Sequence, residues 1–362
     1  MPFTTIDDPT VYFQMKTYSG NGTAIGSGGN SITFDGDTDL APGMLWIKRT
    51  DSQSAHNIHD VVRGAQNRVY PNNTDVEDTN VTESVNAFTS DGFNLGNSGG
   101  GNASGGTYVA YCWKAGTTSG IGTSGQDITP TGYSIETTSK FGTYTYNENE
   151  TADQQINHGL GAKIGFGIVK SRGHSSNGDF MVYHRAIDAD PAEAGDFYLK
   201  LNDTTARTDD SGIWDDEMFD ATDITVSNDS RVNGGGEGRT YVMYLWADVQ
   251  GFSKFGTYEG NGNADGTFVY TGFKPKFLIC KSIDSTAGAY MIPAKTDWVN
   301  GDTHWIYAYS DTTKSNGAFV DFHANGFKLR KNDDINNSET YVYMAWAEAP
   351  FVNSNGVPGT AR

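Results

Sequence analysis

From Thr340 to Trp346 the chain reads Thr-Tyr-Val-Tyr-Met-Ala-Trp. Side chains on a strand point alternately to opposite faces, so Tyr341, Tyr343 and Ala345 share one face while Val342, Met344 and Trp346 share the other. Both faces are apolar, which predicts a central strand covered on two sides. The same opening Thr-Tyr-Val and closing Trp recur at 107–113 and 240–246, making Trp113, Trp246 and Trp346 matched core anchors. Upstream of each lies a second shared signature: Lys16-Thr-Tyr18-Ser-Gly-Asn-Gly22, Phe141-Gly-Thr-Tyr144 and Phe255-Gly-Thr-Tyr258-Glu-Gly-Asn-Gly262. Tyr18, Tyr144 and Tyr258 are read as equivalent anchors, 89, 96 and 82 residues ahead of the closing Thr. Such units exceed the roughly 20–50-residue period of solenoids and match modules that hold their own cores.

Within each repeat the same signals follow in the same order. An apolar strand ends in lysine (Met44 to Lys48, Phe166 to Lys170, Phe277 to Lys281), and a second strand and a polar turn follow. The turns are Tyr70-Pro-Asn-Asn-Thr74, Leu201-Asn-Asp-Thr204 and Tyr309-Ser-Asp-Thr312. Asp91-Gly92 and Asn325-Gly326 then predict two-residue hairpin turns, whereas Asp223-Ile224 requires something else in repeat two. Strands punctuated in this way predict an all-β chain of three tandem β-sandwich modules, of jelly-roll or concanavalin-like type. The expected divisions are 1–114 (with an N-terminal arm), 133–248 and 249–349, with a tail at 350–362. Gly, Ser and Thr dominate 115–132, which predicts a flexible or extended linker. The second junction is short, so repeats two and three are expected to be mutually fixed and repeat one hinged to them.

Composition agrees with this and narrows the partners. Nine leucines stand against 45 glycines and 38 Tyr and Phe residues, so helices should be few. A net charge of −19, with 25 Lys and Arg in all, argues against nucleic acid and anionic membranes and is read as a solubility feature. No apolar run approaches the ~18–20 residues of a membrane span. Asp7 and Asp8 stand where a signal peptide carries Lys or Arg, which predicts synthesis in the cytoplasm without export. Cys112 and Cys280 lie in apolar runs of different repeats and are expected to be free buried thiols.

Four stretches carry a family resemblance: Phe3-Thr-Thr-Ile-Asp-Asp-Pro9, Tyr18-Ser-Gly-Asn-Gly22, Ile47-Lys-Arg49 with His59-Asp-Val-Val-Arg-Gly64, and Ala347-Glu-Ala-Pro-Phe-Val-Asn-Ser-Asn-Gly-Val-Pro358. Over nearly its whole length the chain resembles repeat modules of tail-fibre-like and other virion structural proteins of marine tailed phages of the cyanobacterial type. That resemblance implies a lectin-like sandwich on the outside of a virion, on tail or outer surface. It also implies other virion proteins as partners, a homo-oligomer that by analogy with fibres would be a trimer, and a role in host attachment. A capsid-decorating or adaptor role without host binding is the alternative. Repeat two departs from the pattern, with Asn147-Glu-Asn-Glu150 in place of the Gly-Asn-Gly signature.

Candidate chemistry is sparse. No nucleophile-and-base spacing appears, so an enzyme is not expected; an envelope depolymerase would need a paired acid and base in a cleft. His56 and His59 are three apart without a repeating third ligand. Asp35, Asp37 and Asp39 have the alternate spacing that starts many Ca²⁺ loops but lack a downstream bidentate Glu; a solvated turn is the plain alternative, and no cofactor is expected. Binding a host-surface glycan would use exposed aromatics that stack on sugar rings. Trp214, Trp298 and Trp305 are the candidates, since they have no counterparts in the other repeats and sit beside Asp, Asn or Gly.

Overall fold

Each Thr-Tyr-Val…Trp segment becomes the middle of a sheet because it finds an antiparallel partner on either side. In a computed structural model that describes residues 3–122, 124–174, 178–294, 303–332 and 334–359, this happens three times. The closing strand Thr107–Lys114 lies between Phe13–Ser19 and Pro42–Arg49 in a five-stranded sheet. Thr240–Ala247 lies between Phe141–Asn147 and Ile164–Ser171 in a sheet of seven, and Thr340–Pro350 between Ser253–Glu259 and Phe273–Ser282 in a sheet of six. The first flanking strand of each trio is here the opening strand and the second, with Lys48, Lys170 or Lys281 as its next-to-last residue, the lysine strand. A smaller antiparallel sheet packs outside each large one: Asn30–Thr33 with Gly92–Leu95 and Val85–Thr89, Gln154–Asn157 with Asp223–Val226, and Phe268–Tyr270 with Gly326–Leu329 and Val320–His323. The fold is an all-β sandwich architecture. Cys112 and Cys280 are free and buried.

The register corrects one equivalence. Phe13, Phe141 and Ser253 lie opposite Trp113, Trp246 and Trp346, so five residues further on Tyr18, Tyr146 and Tyr258 occupy the same place. They stack on Tyr108, Tyr241 and Tyr341 with ring centroids 5.1 Å apart in every case. Tyr144, matched through the Phe-Gly-Thr-Tyr string, sits two places earlier and donates instead to the His158 carbonyl at 2.6 Å. The hairpin glycines are also corrected. Strand partners Thr89 and Gly92 leave Ser90 and Asp91 as the turn, and His323 and Gly326 leave Ala324 and Asn325. Gly92 and Gly326 are needed because a Cβ there would lie 2.0 Å from the carbonyl oxygens of Ile32 and Val269 on the next strand.

Both faces of the closing strands are buried, for two different reasons. In module one Tyr108, Ala110 and Cys112 face the outer sheet, while Val109, Tyr111 and Trp113 face a core common to all three modules. Trp113, Trp246 and Trp346 meet there edge to face, with centroids 5.5, 5.2 and 6.0 Å apart. Instead of the separate module cores that the repeat length predicts, the three large sheets share an interior around an approximate threefold axis. No module could expose its Trp-bearing face to water without losing that burial.

The strand-end lysines lock the ring. Lys48 Nζ donates to the Asp311 carbonyl at 3.1 Å, Lys170 to Thr74 at 3.4 Å and Lys281 to Asp203 at 3.1 Å. Module one thereby holds module three, two holds one, and three holds two. Beside each lysine a backbone amide crosses the same boundary: Lys314 to Thr50 at 3.1 Å, Glu77 to Arg172 at 2.8 Å and Arg207 to Ile283 at 3.1 Å. The polar turns are therefore docking points. Loss of water around each ammonium lowers its pKa to about 8, a cost offset by the carbonyls that cradle it.

Of the two expectations for 115–132, the structure departs from the flexible one. Thr117 and Ile135 exchange two backbone hydrogen bonds of 2.9 Å, the amides of Asp127 and Ile128 both donate to Gln155, and Ile128 is buried in the common core. Module one is not hinged; the segment that joins it to module two is sewn onto module two.

One further set repeats with full fidelity. Asn102, Asn233 and Asn336 are buried, and each exchanges side-chain hydrogen bonds with Asn21, Asn149 and Asn261 respectively. The residue after each of these second asparagines has positive φ: Gly22 at 66°, Glu150 at 62° and Gly262 at 62°. Each donates its amide to the carbonyl of the buried Asn. Glu150 therefore holds a left-handed backbone that its sisters give to glycine. Glu150→Gly is expected to stabilise the protein by up to about 1 kcal/mol, read as a higher denaturant midpoint; a lower midpoint would mean that the side chain of Glu150 matters more than its backbone strain.

Candidate functional site

Each opening strand faces the start of a neighbour's lysine strand, so the ring has three comparable slots, and the chain treats them differently. In module two the slot is filled by Gly132–Glu136, which pairs Thr145 with Gly132, Thr143 with Ser134 and Phe141 with Glu136. In module one the loop after Phe34 folds over it: Gln14 accepts from the Gly36 amide at 2.8 Å and donates to the Thr38 carbonyl at 3.1 Å, and Asp35 pairs with Lys16. A space of about 100 Å³ remains there. Module three has neither device. Its opening strand follows Ala247 after a five-residue turn, too short to lay down a covering strand, and Thr271 and Gly272 alone connect Phe268–Tyr270 to Phe273–Ser282. A groove of about 910 Å³ is left along Ser253–Glu259.

The groove wall is an open sheet edge. The Ala347 amide bonds to Phe252 and the Gly260 amide to Glu339, so even-numbered residues of the opening strand pair with Thr340–Pro350 and odd-numbered ones point their N–H and C=O groups away. Four of these outward groups are used: Ser253 exchanges two backbone bonds with Val249 at 2.9 and 3.2 Å, the Phe255 amide donates to Asp248 at 2.7 Å, and the Glu259 carbonyl accepts from Thr267 at 2.6 Å. The Phe255 carbonyl, both groups of Thr257 and the Glu259 amide make no protein hydrogen bond among the described residues.

Opposite this edge stand Phe268 and Tyr270, 44% and 54% exposed, among the most exposed large apolar side chains described. Their strand-pairing equivalents are Ser31 and Thr33 in module one and Gln155 and Asn157 in module two. Two outward positions that the sister modules keep polar are thus aromatic here. Lys254 donates to the Tyr270 carbonyl at 2.7 Å and lies 5.4 Å from the ring centroid; burial lowers its pKa. Arg185 pairs with Asp248, whose carboxyl is raised by burial. With exposed Lys163, the lining carries three cations against one carboxylate, Glu259. This is a local inversion of sign in a chain of net charge −19. A second cavity of about 440 Å³ continues past Tyr270 towards Phe3 and Phe351.

The residues singled out from sequence lie elsewhere. Trp214 is fully buried against Tyr183 and Phe219, and Trp305 is 7% exposed and stacked on Phe319 at 4.3 Å. Both are packing residues and cannot stack on a sugar. Trp298 lies outside the described residues. Asp35, Asp37 and Asp39 are solvent-facing, and Asp35 is engaged by Lys16; among the described residues no three His, Cys, Asp or Glu side chains converge. His56 and His59 are buried in separate hydrogen-bonding arrangements, His56 against Trp46 and His59 against Ala65 and Ser84.

The chain belongs to the family described as a domain of unknown function, DUF7483, whose model matches residues 8–350. One family unit therefore spans all three modules, as the common core requires. No curated protein matches the chain.

Proposed function

We propose that the chain is a non-catalytic structural protein of a tailed-phage virion, a tail fibre or spike component that meets the host envelope through the module-three groove. The observation that carries this reading is the placement of Phe268 and Tyr270 in the open where both sister modules carry polar residues. Most of the other described aromatics are buried in the modules, whereas these two are left in the open beside a groove. Resemblance to phage virion modules supplies the setting, and copy number on a virion would multiply a shallow contact into firm attachment. A homotrimer of such bodies, or their association with other virion proteins, belongs to the same proposal. The open sheet edge favours a second reading, an adaptor or capsid-decorating subunit, because sheet edges recruit polypeptide. A depolymerase is the least supported, since a single carboxylate lines the large groove and glycoside hydrolysis uses two.

Fluorescently labelled protein is expected to decorate cyanobacterial host cells, and Phe268→Ala with Tyr270→Ala to weaken that binding at least about tenfold without shifting the melting temperature. Binding confined to emptied capsids would select the decorating role, and release of reducing sugar from envelope polysaccharide would select the enzyme.

A further inference from the structure

We propose that the module-three groove takes an extended, acidic strand of a partner polypeptide, which adds to the free edge of Ser253–Glu259 as a seventh strand of that sheet. This rests on the groove being a contact surface, and it names the class of partner.

Module two displays the completed arrangement: Gly132–Glu136 lies antiparallel to Phe141–Asn147 and satisfies the outward groups of Phe141, Thr143 and Thr145. By the Trp register these positions correspond to Ser253, Phe255 and Thr257. The slot beside Thr257 is thus the one that the chain fills with its own strand a module earlier. Module three cannot do the same because too few residues precede its opening strand. The Phe255 carbonyl, the Thr257 pair and the Glu259 amide are spaced to receive an antiparallel strand. A polypeptide strand presents fixed, alternating N–H and C=O groups at the ladder spacing of that row, whereas sugar hydroxyls are not held in such pairs.

The covering strand also indicates what the occupant looks like. Its Tyr133 and Ile135 pack against the core while Ser134 and Glu136 alternate with them. An occupant of module three would likewise alternate apolar with polar residues, the apolar ones reaching Phe268 and Tyr270. Lys163, Arg185 and Lys254 around the groove favour carboxylates on the occupant. A second copy of this chain fits less well, since two bodies of charge −19 repel.

The test uses the whole chain and an array of synthetic octapeptides that alternate Tyr, Ile or Val with Ser, Thr or Glu and include the Gly-Tyr-Ser-Ile-Glu sequence of residues 132–136. Bound members should slow amide exchange at Thr257 and Glu259 by about tenfold or more. Thr257→Pro removes an outward N–H that the sheet does not use, so the protein should fold with unchanged melting temperature yet lose this binding. Failure of every peptide to protect these amides would overturn the proposal. So would oligosaccharide binding that survives Thr257→Pro and disappears in Tyr270→Ala, or a concentration-dependent dimer abolished by Thr257→Pro. Host-cell labelling separates the two readings: if wild type and Thr257→Pro label cells equally, the groove contacts the envelope but not through strand addition. If wild type labels no cells while peptides protect Thr257, strand addition stands and the host-contact reading fails.

Discussion

Trp113→Ala is expected to destabilise the entire chain by about 3–5 kcal/mol, and to do so without releasing one module ahead of the others. The indole lies against Trp246 and Trp346, and also against Phe13 at 5.0 Å and Phe277 at 6.3 Å, so its removal opens a void bordered by modules two and three as much as by its own. Interiors packed like crystals close such voids only partly. Edge-to-face aromatic pairs add about 0.5–1.5 kcal/mol each beyond the area they bury, so the triad should behave as a coupled unit. Trp113→Ala combined with Trp246→Ala should depart from additivity by about 1 kcal/mol or more. Calorimetry is the direct check: one transition whose calorimetric and van't Hoff enthalpies agree is expected for wild type and variant alike. Three resolvable transitions, or exchange protection lost in module one alone, would falsify the common core as a folding unit.

What sequence conveys about this arrangement, and what it withholds, follows from where each signal acts. Alternation along Thr340 to Trp346 reports two buried faces because burial is a property of the strand itself. It cannot say whether the second cover is the module's own sheet or a neighbouring module, since both look apolar from the strand. The lysine at each strand end and the polar turn after it are legible as repeated features, but their meaning lies in a contact across modules that no local pattern encodes. The Phe-Gly-Thr-Tyr string points to Tyr144 as the partner of Tyr18, and only the register that sets Phe141 opposite Trp246 moves the match to Tyr146. Trp214 and Trp305 stand out for rarity and polar neighbours, yet large aromatics without repeat counterparts are as readily recruited to fill a module's private interior. The useful signal is the reverse comparison: Phe268 and Tyr270 stand where Ser31, Thr33, Gln155 and Asn157 stand in the sister modules. It becomes readable only once strand pairing aligns the repeats.

Acid is expected to open this protein well above the pH at which carboxylates protonate, because four histidines are buried in the neutral form. His56 accepts the Trp46 indole N–H at Nδ1, His158 accepts the Leu160 amide and His184 the Ala186 amide; His59 presents Nε2 to the Ser84 hydroxyl. Each opposite ring nitrogen faces a backbone carbonyl, so one proton is placed; at His56, His158 and His184 a second would meet an N–H, and at His59 it would have to turn the Ser84 hydroxyl into an acceptor. Burial, aided by the nearby cations Lys48, Arg63, Lys140 and Arg185, pushes the pKa values down to about 3 for His56, His59 and His184 and about 4 for His158. Between those values and the ordinary 6.5, the unfolded chain binds protons that the folded chain refuses, so stability falls as pH drops through 6.5. At pH 5 the loss is about 2 kcal/mol per histidine, and four such losses rival the roughly 5–15 kcal/mol that holds a typical domain together. Lys48, Lys170 and Lys281 contribute nothing to this slope, being protonated in both states below pH 8. Asp51, held down to about 2 chiefly by its hydrogen bond to Arg49, contributes only at lower pH. His56 and His184 reach across to carbonyls of module three, at Tyr307 and Ser310 and at Tyr343. Protonation at these two rings therefore breaks contacts to module three, and because Trp346 packs on Trp113 and Trp246 the shared core should open as one unit. Urea midpoints taken from pH 7.5 to pH 5, with indole emission followed in parallel, should fall steadily from about pH 6.5, and His184→Gln, which keeps a donor but cannot protonate, should flatten the slope by one proton. A midpoint that stays level to pH 5 would show that these imidazoles find room for the second proton, and the neutral, carbonyl-facing packing described for them would be wrong.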